Sequence, residues 1–230
     1  MLLVNRIIII ATRNLGKVKE FAHFFRERQV EVRSLMDYKD LPDIVEDGET
    51  FAENALKKAQ TIALALNLPV LADDSGLCVD ALYGAPGVWS ARYAGEHASD
   101  TENCDKLLRA LAISPLKIEH AISIHNQPSR PQLLSAARFV CALALYDPAQ
   151  DDNIQETILQ VEESCEGFII PEPRGLNGFG YDPVFYLPAF GRTMAELSVE
   201  EKNRLSHRAK ALSKLIDKLD SNTREQYRLL

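Results

Sequence analysis

The apolar run Pro69-Val70-Leu71-Ala72 leads directly into Asp73-Asp74-Ser75-Gly76, and this junction limits the fold more sharply than any other stretch. A short apolar run of this kind reads as a buried strand. Two adjacent carboxylates at its end are costly unless they are exposed, paired with cations or bound to a metal. Open α/β sheets present such strand ends to ligand clefts. The expectation is therefore a buried strand whose carboxyl end delivers Asp73 and Asp74 to a cleft. Hard carboxylate oxygens there suit Mg²⁺, which bridges protein acids to substrate phosphates.

The surrounding pattern alternates strand and helix. A β-branched run at 6–11 feeds a helix over about 14–27 that packs through Val18, Phe21 and Phe25. A second strand is expected at about 30–35. Thr50 and Glu53 spell a capping box, and Phe51, Ala55, Ala59, Ile62 and Leu66 recur at helical spacing behind it, which predicts a helix over 51–66. A helix near 101–112 follows, then longer strands at 136–146 and 156–165, read as an antiparallel pair in a second lobe. Ser198 and Glu201 spell another capping box, and a helix over about 206–220 turns Ala211, Leu212, Leu215 and Leu219 inward. The 230 residues fit one domain spanning 1–230. Residues 114–135, polar and proline-containing, read as a surface insertion.

Charge and cysteine usage exclude several roles. A net charge of −7 argues against broad binding to nucleic acid or to an anionic membrane, so an anionic ligand needs a local cluster or a metal. Cys78, Cys104, Cys141 and Cys165 fit neither paired zinc-site spacing nor a dense disulfide framework. They read as reduced, mostly buried thiols of a cytoplasmic protein. The run Ile7 to Ile10 is too short to span a bilayer, and no targeting segment is apparent.

Three further clusters could carry chemistry. Thr12-Arg13-Asn14-Leu15-Gly16-Lys17 falls at a helix start, where backbone N–H groups, the dipole and a lysine suit phosphate, though an ordinary capped helix start reads equally well. It lacks the glycine opening of a Walker A loop. Glu46, Asp47 and Glu49 crowd a glycine-containing loop that could lend a metal ligand or be a solvated acidic turn. Phe179-Gly180-Tyr181-Asp182 presents aromatics and a carboxylate between glycines, suiting a nucleobase or a tight structural turn. Lys202, Ser206, His207 and Arg208 lie at or just before a helix start. There Lys202 could meet phosphate, and His207 and Arg208 could donate to a base oxygen.

Taken together these segments resemble the inosine triphosphate pyrophosphatase family. The likeness rests on ATRNLGKVKE at 11–20, EDGETFAENALKKA at 46–59, LADDSGLCVDAL at 71–82, GAPGVWSARYAG at 84–95, GFGYDPVF at 178–185 and AELSVEEKNRLSHRAKAL at 195–212. The resemblance implies an α/β fold with an elongated mixed central sheet flanked by helices, two lobes with an active-site cleft between them, and usually a homodimer. It implies Mg²⁺-dependent hydrolysis of deaminated purine triphosphates (ITP, dITP, XTP) to nucleoside monophosphate and pyrophosphate. Thr12, Arg13, Asn14, Leu15, Gly16 and Lys17 would hold the phosphates; Glu46 and Asp74 would bind Mg²⁺; Asp74 would also be the catalytic base. Ser75 would contact substrate, Phe179, Gly180, Tyr181 and Asp182 would hold base and sugar, and Lys202, His207 and Arg208 would complete the pocket. A donor from Arg208 or His207 to the 6-oxo group would reject ATP. Whether Asp73 or Glu49 also binds metal stays open. The rivals are a Maf-type nucleotide pyrophosphatase and a catalytically silent nucleotide-binding protein. The 114–135 connection is longer than in typical members.

Overall fold

The computed structural model of the protein describes residues 7–26, 30–116, 131–148 and 157–228. Its strands are β1 (Ile7–Ile10), β2 (Glu31–Ser34), β3 (Val70–Val79), β4 (Ser135–Asp147), β5 (Thr157–Ile169), β6 (Phe185–Leu187) and β7 (Arg192–Thr193). They form one mixed sheet in the order β2-β1-β3-β4-β5-β6-β7. β1 runs parallel to both β2 and β3, while β6 is antiparallel to β5 and to β7. The helices are α1 (Leu15–Arg26), α2 (Phe51–Leu66), α3 (Asp100–Ile113), α4 (Val199–Leu205) and α5 (His207–Arg228). The mixed α/β architecture with a flanked central sheet is thus as expected.

The described residues divide into two compact units. The first comprises those up to Asp74, those in Cys141–Glu163 and those from His207 onward; the second comprises those in Ser75–Val140 and Ser164–Ser206. In the first unit, Ile8 and Ile10 of β1, Leu71 of β3 and Cys141, Leu143 and Leu145 of β4 pack with Phe21 and Phe25 of α1 and Ala211, Leu212 and Leu215 of α5. In the second, Leu77 and Val79 of β3 and Phe139 of β4 pack with Leu107 and Leu111 of α3 and with Phe185 and Met194.

Several boundaries differ from the sequence expectation. β3 does not stop at the acids: it continues through Asp73 and Asp74 to Val79. Leu77 and Val79 bury the far end of the strand in a second core, and cations close to each aspartate remove the electrostatic reason for the strand to end. β5 runs on to Ile169 rather than to 165, because Cys165 and Ile169 join that same core. The helix expected over 206–220 is α5, which continues to Arg228, and α4 precedes it as a separate helix. Extended Ser206 (ψ 155°) interrupts the two. The middle of the 114–135 insertion, 117–130, lies outside the described residues, and its last residue opens β4. Cys104, Cys141 and Cys165 are buried and Cys78 partly so, all four as free thiols. Among the described residues no helix is long and apolar enough to cross a membrane.

Candidate active site

Because side chains alternate along a strand, consecutive residues of β3 address opposite faces of the sheet. Asp73 shares its face with Leu71 and meets α1, α5 and β4. Its Oδ1 is ion-paired with the Lys17 ammonium, and its Oδ2 accepts from Arg208 Nε at 2.7 Å and from the Cys141 thiol at 3.3 Å. Arg208 Nη1 is in turn ion-paired with Glu20 of α1. Burial alone would push the Asp73 carboxyl up. The charges and hydrogen bonds of Arg208 and Lys17 outweigh it and hold the group well below the usual carboxylate range. Asp73 is 1% exposed; two cations and two anions balance here, and Asp73 is an ionised structural anchor.

Asp74 addresses the other face and meets α2. Its Oδ1 accepts from Lys58 Nζ at 2.9 Å and its Oδ2 from Asn54 Nδ2 at 3.3 Å. The Lys58 ammonium also lies 2.8 Å from Glu46 Oε2 and donates to the Asp73 carbonyl at 3.3 Å. Burial pushes the Asp74 carboxyl up and Lys58 only partly opposes it. For Lys58, burial works against the charge, but Asp74 and Glu46 together raise its pKa. Two carboxylates, those of Asp74 and Glu46, thus converge on one ammonium on this face.

That convergence tests the fit of a metal. Among the described residues no three His, Cys, Asp or Glu side chains converge as a metal cage. Two carboxylates converging on one point are nonetheless the donor set Mg²⁺ takes when substrate phosphates and water complete its shell. Glu46 and Asp74 fit it. Asp73 faces the other way, and Glu49 lends its backbone N–H to Glu53 in the cap of α2.

The helix start at Thr12–Lys17 is partly self-satisfied. Asn14 Oδ1 accepts the N–H groups of Gly16 and Lys17 at 2.8 and 3.2 Å, and Thr12 Oγ1 accepts that of Asn14 at 3.1 Å. This is side-chain capping. Arg13, Asn14 and Leu15 stay exposed while Lys17 turns inward to Asp73. These bonds are those of a capped helix start, one of the two readings of the segment.

In the second unit Asp182 is 3% exposed, its Oδ2 accepting from Lys202 Nζ at 2.7 Å and from the Phe179 N–H at 3.0 Å. The same ammonium lies 4.6 Å from the centre of the half-buried Phe179 ring, a cation–π distance. Of the two uses the sequence left open for this loop, Tyr181 takes that of a core aromatic in a tight turn. It is buried and its hydroxyl donates to the Ser90 carbonyl at 2.9 Å, so it anchors the loop from beneath. Ser75 follows Asp74 in β3 and is half-buried.

In the first unit Lys17 and Arg208 gather on Asp73, while Glu46 and Asp74 gather on Lys58 at the opposite face of β3; the second unit brings together Phe179, Asp182 and Lys202. Arg208, expected to read a base, is instead 1% exposed in its ion pairs, and the adjoining His207 is buried at the first position of α5. Sequence reasoning missed Asn54 and Lys58. Both fall on the apolar stripe of α2, at positions i+3 and i+7 from Phe51, where a polar residue signals a buried partner.

Comparison with known proteins gives a consistent result. The model of the Ham1 family matches residues 8–218. A dITP/XTP pyrophosphatase of Geobacillus kaustophilus is 53% identical over 208 residues, covering 90% of this chain and 91% of the relative. One from Shouchella clausii is 47% identical over 213 residues, covering 93% and 96%. Among solved structures, a HAM1 protein from Coxiella burnetii superposes with a TM-score of 0.75 at 40% identity, covering 94% of this chain and 98% of that one. The Staphylococcus aureus Ham1 protein gives 0.73 at 37% identity, covering 94% and 99%.

Proposed function

The chain belongs to the Ham1 family, and from that premise we propose that it hydrolyses the deaminated purine triphosphates ITP, dITP and XTP to monophosphate and pyrophosphate, with Mg²⁺ as cofactor. The relatives named for dITP and XTP support the substrate class. The observation that carries the chemistry is the convergence of Glu46 and Asp74 on the Lys58 ammonium.

In this reading Asp74 is the base that accepts the proton of the water attacking the α-phosphorus. Lys58 and Asn54 fix its two oxygens. Glu46 and Asp74 would hold Mg²⁺, which would neutralise part of the triphosphate charge. Lys17 is ion-paired with Asp73 and close enough for its charge to act on Asp74; with the capped start of α1 it would receive the leaving pyrophosphate. Phe179 and Asp182 hold the nucleoside, with Lys202 binding both side chains. Arg208 is locked by Asp73 and Glu20, so we assign the donor to the 6-oxo group, which separates these substrates from ATP, to His207. The homodimer that the resemblance implies and a place in the cytoplasmic nucleotide pool belong to the same proposal; sedimentation at assay concentration tests the former.

A substrate panel with Mg²⁺ tests the activity. ITP, dITP and XTP are expected to yield monophosphate and pyrophosphate with kcat/KM well above that of GTP or ATP. Equal values for all five, or release of orthophosphate, would sink the reading. Asp74→Asn should lower kcat by about 10²-fold or more, as loss of a general base does.

A further inference from the structure

The loop Phe179-Gly180-Tyr181-Asp182 is gripped from a side that has no place among its expected ligand contacts. Asp100 Oδ2 accepts the Gly180 N–H at 2.7 Å, and the Cys104 thiol lies 3.5 Å from the Gly180 carbonyl as its donor. Asp100 and Cys104 stand one turn apart on α3, whose first turn is itself fixed by the Ser99–Glu102 capping box. Both polar groups of one residue are therefore tied to one rigid helix end. Gly180 has φ +61° and Gly178 φ +79°, a left-handed backbone that glycine adopts without preference and so does not hold by itself. What selects this conformation must come from outside the loop. The adjoining contacts depend on it: the Phe179 N–H meets Asp182, and the Phe179 ring lies against Lys202.

We propose that Asp100 and Cys104 are positioning residues that clamp the Gly180 peptide and so set the Phe179 ring and the Asp182 carboxylate for the nucleoside. The inference rests on the functional reading above and adds α3 to the machinery of that site. Asp100 provides the stronger contact, a short bond with an ionised acceptor, and such bonds are about twice as strong as neutral ones. Cys104 adds a weak thiol donor. Burial, with Asp100, Asp105 and Asp182 nearby, pushes the thiol up to about 12, so at neutral pH it retains the proton it donates.

Asp100→Ala removes the acceptor, while Asp100→Asn keeps an amide oxygen in the same place. Two readouts are taken on each variant: hydrogen exchange of the Gly180 amide without nucleotide, and steady-state kinetics with ITP. For Asp100→Ala the clamp predicts faster Gly180 exchange and a KM raised about tenfold, the loss of roughly one such hydrogen bond, with kcat within about twofold of wild type. Asp100→Asn restores both, and Cys104→Ala moves both in the same direction by less. A purely structural role for Asp100 would lower thermal stability and alter kcat without this split. Unchanged Gly180 exchange in Asp100→Ala overturns the clamp. Faster exchange with unchanged KM overturns its role in binding. Wild-type protein that leaves ITP intact overturns the functional reading instead, and the exchange data still decide whether the clamp exists.

Discussion

Asp73 and Asp74 are neighbours in sequence with opposite electrostatic fates. Burial acts on both, yet Asp73 meets Arg208 and Lys17 and is held well below its usual pKa, while Asp74 ends up raised. The depressed group makes a sign-definite prediction. Its contribution to stability is fully present above the unfolded aspartate pKa of about 3.9 and is lost as pH falls through the lower folded value. Urea unfolding of the wild type should therefore lose free energy steeply below about pH 4, and Asp73→Asn should flatten that slope. At neutral pH the same substitution should destabilise by up to about 3–5 kcal/mol, because buried Arg208 keeps only Glu20 of its two carboxylate partners. An unchanged acid slope would show that Asp73 is not the ionised anchor described. The partners were hard to read from sequence because they are remote: Lys17 is 56 positions away and Arg208 is 135. Two acids in a row without visible cations resemble a strand end, and for that reason the continuation of β3 to Val79 escaped notice.

At the scale of elements, local rules were the legible ones. The α2 boundaries came out as read because Thr50 and Glu53 form the expected reciprocal cap, with Thr50 Oγ1 accepting the Glu53 N–H and Glu53 Oε2 that of Thr50. The end of β5 and the break between α4 and α5 were set by packing into the second unit's core and by the conformation of Ser206, which no periodicity encodes. The site was legible as segments; Asn54 and Lys58 were hidden because a helical stripe was read for its apolar members only. The 178–182 loop yields a prediction at this scale. A Cβ on Gly178 would lie 2.0 Å from Asp182 Oδ2, at a φ of +79°. Gly178→Ala must therefore displace the carboxylate that holds Lys202 and the Phe179 N–H. A KM for ITP raised about tenfold or more is expected, since misplacing a binding group by about 1 Å can cost a hundredfold in rate. Wild-type KM in a folded variant would show that the loop tolerates the shift.

The whole molecule carries a net charge of −7 and is proposed to take a polyanion, so attraction must be local and conditional on the cation. Chelating Mg²⁺ should abolish ITP turnover while shifting Tm by no more than a few degrees, because Lys58 itself ties Glu46 to Asp74. Restoring Mg²⁺ together with IMP at about 100 times its Kd should add about 2.7 kcal/mol of stability; thermal unfolding with and without EDTA reads both effects. A collapse of the fold on chelation would make the metal structural instead. The alternation of β3 also bears on how such a protein can change over time. With Asp73 tied to the scaffold and Asp74 proposed for the reaction, selection for abundance should constrain one codon and selection for clearing damaged nucleotides the next. A variant library sorted separately for expression and for mutation suppression should therefore recover two adjacent positions as members of different classes.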